Sequence, residues 1–449
     1  MLQACLMVLL GILNTVQDSG ELTNEILLSE LDSLSKAALW PGFNPADYPI
    51  AIYDGKNTIL YRYPKQPEGF KSIQNESGTY IFDGHHPKVV ANSSTVIDEI
   101  RVATVMKESL TAKSLQSSAA LVIHELFHVY QREHHPEWSA NEAHLFSYPF
   151  TDRKVYQLRL MESKAFFYAM QKTDISAAAK WILVALSYRT ERYKLMDNSH
   201  AQYERDQEIN EGLAQYVEDK SIGNSPLKRI PETLWVPEKV RNRAYTTGQI
   251  LAHFLDIHLP EWKEMLNEGV SAPLDILLLV ALKTQNLKAE SISEKEKLEF
   301  EELAEHHIDT YKASLKEKKN DFKTMPGWRV KVEILKGANL LAPSGFDPLN
   351  VLNLGDGEIY HSRMLNLRSS QGSVRMLNLK AVSYGPNRHP LFHGVRHVEI
   401  AGIQNKPEIK QNGTDLEIHS EGLDLQFSNA LFEIMEDNLV YVRIKPPGN

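Results

Sequence analysis

The chain has 449 residues, of which 42% are hydrophobic and 24% are charged. This composition is typical of a soluble globular protein with two or three domains. The formal net charge of −9 argues against a general binder of nucleic-acid backbones, so we expect no nucleic-acid partner. The single cysteine, Cys5, excludes an internal disulfide and a cysteine-rich metal site. Any metal must therefore be held by His, Asp or Glu.

The N-terminus contains an apolar run from Leu6 to Leu13 that has the length of a secretory-signal core. The run is too short to span a bilayer, and so are the later apolar runs, so we expect no transmembrane span. We predict that residues 1–19 are a signal peptide, which would make the mature chain secreted or periplasmic. The alternative is an ordinary buried N-terminal helix in a cytoplasmic protein.

A helical pattern over residues 21–38 is followed by short strand-like runs that turn residues separate. The runs are 48–54, 58–64, 78–83 and 94–106. We interpret residues 20–113 as a small α/β subdomain. The part of the last run that covers 99–106 could be an edge strand that pairs with an extended peptide, or a plain core strand.

From Ser114 the pattern becomes helical, and Pro326-Gly327 then ends it. The periodic segments are 114–133, 153–172, 176–196, 200–221, 239–258 and 289–320. After the break, polar and apolar residues alternate over 329–335, 396–403, 414–420 and 438–444. We therefore predict an α+β protein with a helical subdomain at 114–325 and a C-terminal all-β domain at 326–449.

The helical segment SAALVIHELFHVYQREHH, residues 118–135, contains an HExxH motif. His124 and His128 are four positions apart, so they point to the same side of a helix and can bind one zinc ion. Glu125 directly follows the first histidine and can act as the general base for a zinc-activated water. The alternative is a surface helix with scattered histidines. His134 and His135, just before Pro136, are interpreted as solvated residues and not as ligands.

A catalytic zinc site needs a third protein ligand, and three downstream glutamates are candidates. They are Glu142 in a predicted loop, Glu162 on one predicted helix and Glu211 on another. Glu211 belongs to a stripe of polar residues at helical spacing whose other members we expect to be solvated or to lie behind the ligands. These other members are Glu204, Glu208, Gln215 and Glu218.

The segment NEGLAQYVE, residues 210–218, resembles the NEG-x-A-x-Y segment of the gluzincin peptidases, the group that includes aminopeptidase N. The resemblance implies a zincin-like catalytic region in which Glu211 is the third zinc ligand. Gly212 and Ala214 are small, so we expect this helix to approach the HExxH helix closely. The alternative for Glu211 is an exposed helical glutamate.

The segment RAYTTGQILAHFLD, residues 243–256, is similar to the Y-x-x-G segment that follows the third ligand in the same family. The resemblance implies that Tyr245 donates a hydrogen bond to the developing oxyanion. The alternative is a tyrosine that packs at a helix start. The resemblance covers the active-site helices only: 83 positions separate His128 from Glu211, far more than in aminopeptidase N, and the GxMEN string of those aminopeptidases is absent.

These residues together predict a zinc metallopeptidase with one Zn²⁺ per chain and a peptide or protein substrate. The metal ligands would be His124, His128 and Glu211, and the catalytic residues Glu125 and Tyr245. Two other functions fit the same motifs. One is a catalytically weak, zinc-bearing binding protein of the cell envelope, and the other is a hydrolase of a non-peptide substrate.

Overall fold

The structure is a computed structural model that describes residues 23–74, 76–223, 235–285, 287–347, 350–385 and 390–447. The predicted signal peptide, with Cys5, lies outside these residues. Helices and strands are both abundant, and strands predominate after Lys323. The α+β class is therefore confirmed. In the described part of the chain, no helix is both long and apolar enough to cross a membrane.

The chain divides into two compact units. The first consists of Met1–Trp138, Ala214–Pro226 and Lys263–Val270, and the second consists of Ser139–Leu213, Leu227–Trp262 and Ser271–Asn449. Near the predicted boundary at 325/326, a helix ends at Lys323 and a strand begins at Trp328, both within the second unit. That residues 326–449 fold independently stays a prediction.

The N-terminal part of the first unit is a helix, a six-stranded sheet and a long second helix. The elements are α1 (Asn24–Leu34), β1 (Ile50–Tyr53), β2 (Thr58–Tyr61), β3 (Lys71–Ser72), β4 (Tyr80–Phe82), β5 (Ser93–Ile97), β6 (Ile100–Met106) and α2 (Leu115–His134). The strand order is β3-β4-β2-β1-β6-β5, and only β1 and β6 pair in parallel. Helix α2 packs on β5 and β6, and α1 packs on α2.

The run predicted at 94–106 is in fact two strands, β5 and β6, joined in an antiparallel hairpin. Asp98 and Glu99 form the turn with φ angles of 39° and 72°, the left-handed backbone that a tight two-residue hairpin requires. Strand β6 lies between β1 and β5, so the segment considered at 99–106 contributes a core strand, Ile100–Met106, and not an edge strand. The edge beside it is β5.

Helices then follow up to Lys323. They are α3 (Ala143–Phe146), α4 (Arg153–Met170), α5 (Ile175–Lys194), α6 (Asn198–Gln207), α7 (Leu213–Ser221), α8 (Val240–His258), α9 (Trp262–Asn267), α10 (Leu274–Lys283) and α11 (Glu294–Lys323). A π-helical turn, Glu208–Gly212, joins α6 to α7 without a break. Helices α4 and α5 pack closely on each other, and α8 packs on the π turn and on α10.

A buried network of ion pairs connects the helices of the second unit. Its central members are three glutamates and three arginines whose side chains are almost completely shielded from solvent: Glu162, Arg189, Arg192, Glu204, Glu208 and Arg243. They come from α4, α5, α6, the π turn and α8. Because an unpaired charge would be costly at such depth, the matched numbers of acids and arginines favour one arrangement of these helices.

The C-terminal part of the second unit is a sandwich of two sheets. Its elements are β7 (Trp328–Ile334), β8 (Ala342–Phe346), β9 (Val351–Gly355), β10 (Glu358–His361), β11 (Met364–Ser369), β12 (Gly372–Leu377), β13 (Lys380–Tyr384), α12 (Pro390–His393), β14 (His397–Ile403), β15 (Glu408–Asn412), β16 (Asp415–Ser420), β17 (Leu423–Phe427), β18 (Ala430–Met435) and β19 (Leu439–Ile444). The sheet orders are β18-β19-β7-β14-β13-β10-β9 and β15-β16-β17-β12-β11-β8. Alternate residues of both sheets, such as Val332 and Val374, share one apolar core.

Candidate metal centre

Helix α2 carries the HExxH motif on a regular and well-anchored segment. The Ser114 hydroxyl caps its N-terminus by accepting a hydrogen bond from the Ser117 amide, and the helix ends just before Pro136. His124 and Glu125 are buried and His128 is half-buried. The two imidazole rings lie edge to face with their centroids 4.9 Å apart. Both rings therefore project from one side of the helix, as the spacing predicts.

Each histidine ring has a side-chain oxygen close to its Nδ1 atom. His124 Nδ1 lies 3.0 Å from a carboxylate oxygen of Glu218, and His128 Nδ1 lies 2.8 Å from the side-chain oxygen of Gln131. An oxygen this close to Nδ1 favours the tautomer with the proton on that nitrogen, which leaves the Nε2 lone pair of the same ring to bind a metal. Metal-binding histidines are commonly held in this manner.

Glu211 joins the two histidines in one group that could hold a metal ion. One ligand atom from each of His124, His128 and Glu211 lies within 4.8 Å of the other two. Two imidazoles and one carboxylate are a donor set that catalytic zinc sites use, with a further position left for water or substrate. The chemistry of the donors and the Nδ1 contacts thus both fit a bound metal.

The other two glutamates considered as third ligands have different partners. Glu162 is fully buried and accepts hydrogen bonds from Arg189, Arg192 and Arg243. Burial alone would raise the pKa of the Glu162 carboxyl, but these arginines hold that pKa far below its usual value. Glu142 accepts a hydrogen bond from Arg241 at 2.9 Å. Neither glutamate belongs to the metal-binding group.

Glu211 lies on the π turn at the closest approach of two helical backbones. A Cβ added at Gly212 would lie 2.6 Å from the Cα of Gly248 on α8, and one added at Gly248 would lie 2.6 Å from the carbonyl oxygen of Glu208. A side chain at either glycine would push the π turn away from α8. Small residues at 212 and 214 suggest that this helix can approach the HExxH helix, and the close backbone approach at Gly212 itself is to α8.

Tyr245 lies on α8 beside Glu211. Its hydroxyl accepts a hydrogen bond from Arg241 Nη1 at 3.0 Å and is also in hydrogen-bonding contact with the Glu211 carboxylate. Burial and the negative charge of Glu211 both raise the pKa of the Tyr245 phenol well above its usual value. The phenol is therefore protonated at neutral pH and can donate a hydrogen bond.

Several residues of this arrangement were assigned another role, or no role, from the sequence. Glu218 contacts His124, as expected for a residue that lies behind the ligands, whereas Glu204 and Glu208 belong to the buried ion-pair network. Arg241 was missed, although its position four residues before Tyr245 on a predicted helix placed both on one face. His135 was predicted to be solvated, but it is buried because its ring stacks on Trp138 at 3.9 Å.

Comparison of the chain with family models, with curated proteins and with solved structures found no significant match. The function must therefore be inferred from the residues themselves.

Proposed function

We propose that this protein is a zinc metallopeptidase of the HExxH type with a zincin-like, gluzincin-type arrangement of its active-site helices. The observation that carries the proposal is the group formed by His124, His128 and Glu211, whose ligand atoms lie within 4.8 Å of one another. The choice of zinc rests on the two imidazoles and one carboxylate, a ligand set of zinc hydrolases. Glu125 beside the first ligand supplies the base that such hydrolysis needs.

A zinc ion held by these three residues would polarise the substrate carbonyl and acidify the attacking water. The buried Glu125 carboxylate accepts a proton from that water as the water attacks the peptide carbonyl, and it then delivers the proton to the nitrogen of the leaving amine. The C–N bond breaks in this second step, which yields a carboxylic acid and an amine, and the proton of the acid is then lost to the amine or to solvent. The protonated phenol of Tyr245 donates a hydrogen bond to the carbonyl oxygen while that oxygen carries negative charge.

The test combines metal analysis with peptide hydrolysis by the purified protein. We expect wild type to bind one zinc per chain, to cleave members of a peptide library, and to lose this activity reversibly when a chelator removes the metal. Glu125→Gln should retain zinc and lower kcat by a factor on the order of 10²–10⁴, because an amide of the same shape cannot accept the proton. Glu133→Gln, an exposed change on the same helix, is the matched control and should cleave normally.

A Glu125→Gln variant with wild-type turnover would refute the mechanism. Zinc binding without cleavage of any peptide would refute the peptidase assignment and favour a zinc-bearing binding protein. Cleavage of ester or amide probes but of no peptide would instead indicate a hydrolase of non-peptide substrates.

A further inference from the structure

Arg241, the second residue of α8, makes contacts with three different groups around the third metal ligand. Its Nη2 atom donates to Glu211 Oε1 at 2.6 Å, its Nη1 atom donates to the Tyr245 hydroxyl at 3.0 Å, and its Nε atom donates to Glu142 Oε1 at 2.9 Å. The side chain is 12% exposed. A single planar guanidinium therefore joins Glu211, Tyr245 and Glu142.

The position of Arg241 is itself determined by its neighbours. Glu142 accepts hydrogen bonds from Gln207 Nε2 at 2.6 Å and from the Tyr203 hydroxyl at 2.8 Å, in addition to the one from Arg241. This carboxylate is thereby fixed between α6 and the start of α8. The guanidinium is rigid and planar, so anchoring its Nε to Glu142 also fixes the directions in which its two Nη atoms donate.

Glu211 can satisfy both the arginine and a metal because a carboxylate has two oxygens. The oxygen that accepts from Arg241 stops the carboxyl group from rotating, and the pairing offsets the cost of burying the Glu211 charge. The same guanidinium holds the Tyr245 hydroxyl next to Glu211. Removing Arg241 would leave both groups with a choice of rotamers.

We infer that Arg241 is a positioning residue that holds Glu211 for metal binding and Tyr245 for hydrogen bonding to the substrate oxygen. The inference rests on the proposed function, since it assigns Arg241 to the same site. An outer partner of this kind typically contributes a factor of 10–100 to metal affinity.

The experiment compares the full-length wild type with Arg241→Gln and Arg241→Lys. Lysine keeps the positive charge but has one nitrogen, which cannot reach three partners in the fixed directions of a guanidinium. Arg205→Gln is the matched control, because Arg205 also forms a partly buried pair with a carboxylate, that of Asp275, at 2.9 Å. For each protein the zinc Kd is measured by competition with a chromophoric chelator, thermal unfolding is measured without metal, and kcat and KM are measured on a cleaved peptide.

We expect both Arg241 variants to weaken zinc binding by roughly 10–100-fold and to lower kcat more than they change KM. Arg205→Gln should lower the melting temperature while its zinc Kd stays at the wild-type value. Two outcomes would overturn the inference: a wild-type zinc Kd for Arg241→Lys, which would mean that charge alone matters, and tighter zinc binding by Arg241→Gln, which would make Arg241 a competitor of the metal. If wild type itself binds no zinc, the proposed function fails and the inference fails with it.

Discussion

The candidate ligands come from two helical segments that hold their side chains by different means. Helix α2 is regular, begins at a serine cap, and places His124 and His128 one turn apart. Glu211 instead lies on a π turn between α6 and α7, where the glycines at 212 and 248 allow α8 to approach closely. The histidine pair is thus defined by local helix geometry, whereas the position of Glu211 depends on tertiary contacts.

This difference predicts which changes will disturb the site and how. Glu218 and Gln131 each place one side-chain oxygen near the Nδ1 atom of a ligand histidine, so removing one of these oxygens should have a limited effect. The position of the Glu211 carboxylate depends on α8, because that helix supplies Gly248, Arg241 and Tyr245. Changes on α8 should therefore have larger effects than changes around α2, except at Glu125 and the ligands.

The largest of these effects is expected for Tyr245→Phe. If the hydroxyl stabilises the transition state, its loss should lower kcat by on the order of 10²-fold, which corresponds to about 3 kcal/mol, with KM and zinc content nearly unchanged. Steady-state kinetics and a melting curve of the same variant provide the measurement. A kcat within a few-fold of wild type together with a lower melting temperature would make Tyr245 a packing residue.

A smaller effect is expected for Gly248→Ala, which adds a methyl group where no space exists. The new Cβ would meet the carbonyl oxygen of Glu208 at 2.6 Å and the Cα of Gly212 at 2.8 Å, and both are backbone atoms that cannot rotate away. We expect the free energy of unfolding to fall by about 1–3 kcal/mol, with weaker zinc binding as the π turn shifts. Urea unfolding and a zinc titration measure both quantities.

Asn242 is a partly exposed residue on the same helix, so Asn242→Ala is the control for Gly248→Ala. It should change neither the free energy of unfolding nor the zinc affinity appreciably. Unchanged stability of Gly248→Ala would show that the close approach of α8 and the π turn does not hold Glu211 in place.

The smallest effect is expected for Glu218→Gln, which changes the contact of Glu218 with His124 on α2. The glutamine oxygen can still accept the Nδ1 proton of His124, but it lacks the charge that increases the basicity of the ring. We expect zinc affinity to fall roughly tenfold, which corresponds to about 1.4 kcal/mol. A chelator competition assay would show this. A loss as large as that of a ligand variant would mean that Glu218 binds the metal itself.

The two sides of the site also differ in how far the sequence predicts them. The four-residue spacing of His124 and His128 determines their geometry on any regular helix, so the pair could be inferred from the sequence alone. Glu211 was one of three candidate glutamates, and its resemblance to a known motif, with the small residues at 212 and 214, favoured it. The sequence places Arg241 on the same helix face as Tyr245, but the pairing of Arg241 with Glu142 and Glu211 depends on tertiary contacts.

Similar limits apply to the fold. The long helices are periodic enough to predict, and α4, α5 and α8 begin and end within about two residues of the expected positions. The hairpin of β5 and β6 was missed because its turn, Asp98-Glu99, lacks the glycine or asparagine that usually marks left-handed backbone. In the β sandwich four of the strands were predicted, namely β7, β14, β16 and β19.

The most direct test of the central claim is a zinc titration of wild type and Glu211→Ala, with His134→Ala as the control for an exposed histidine on α2. We predict that wild type binds one zinc per chain and that His134→Ala binds it with the same affinity. Glu211→Ala should weaken binding by more than the roughly 100-fold upper bound expected for an outer partner. Wild-type zinc affinity in Glu211→Ala would contradict the claim that His124, His128 and Glu211 form the metal site.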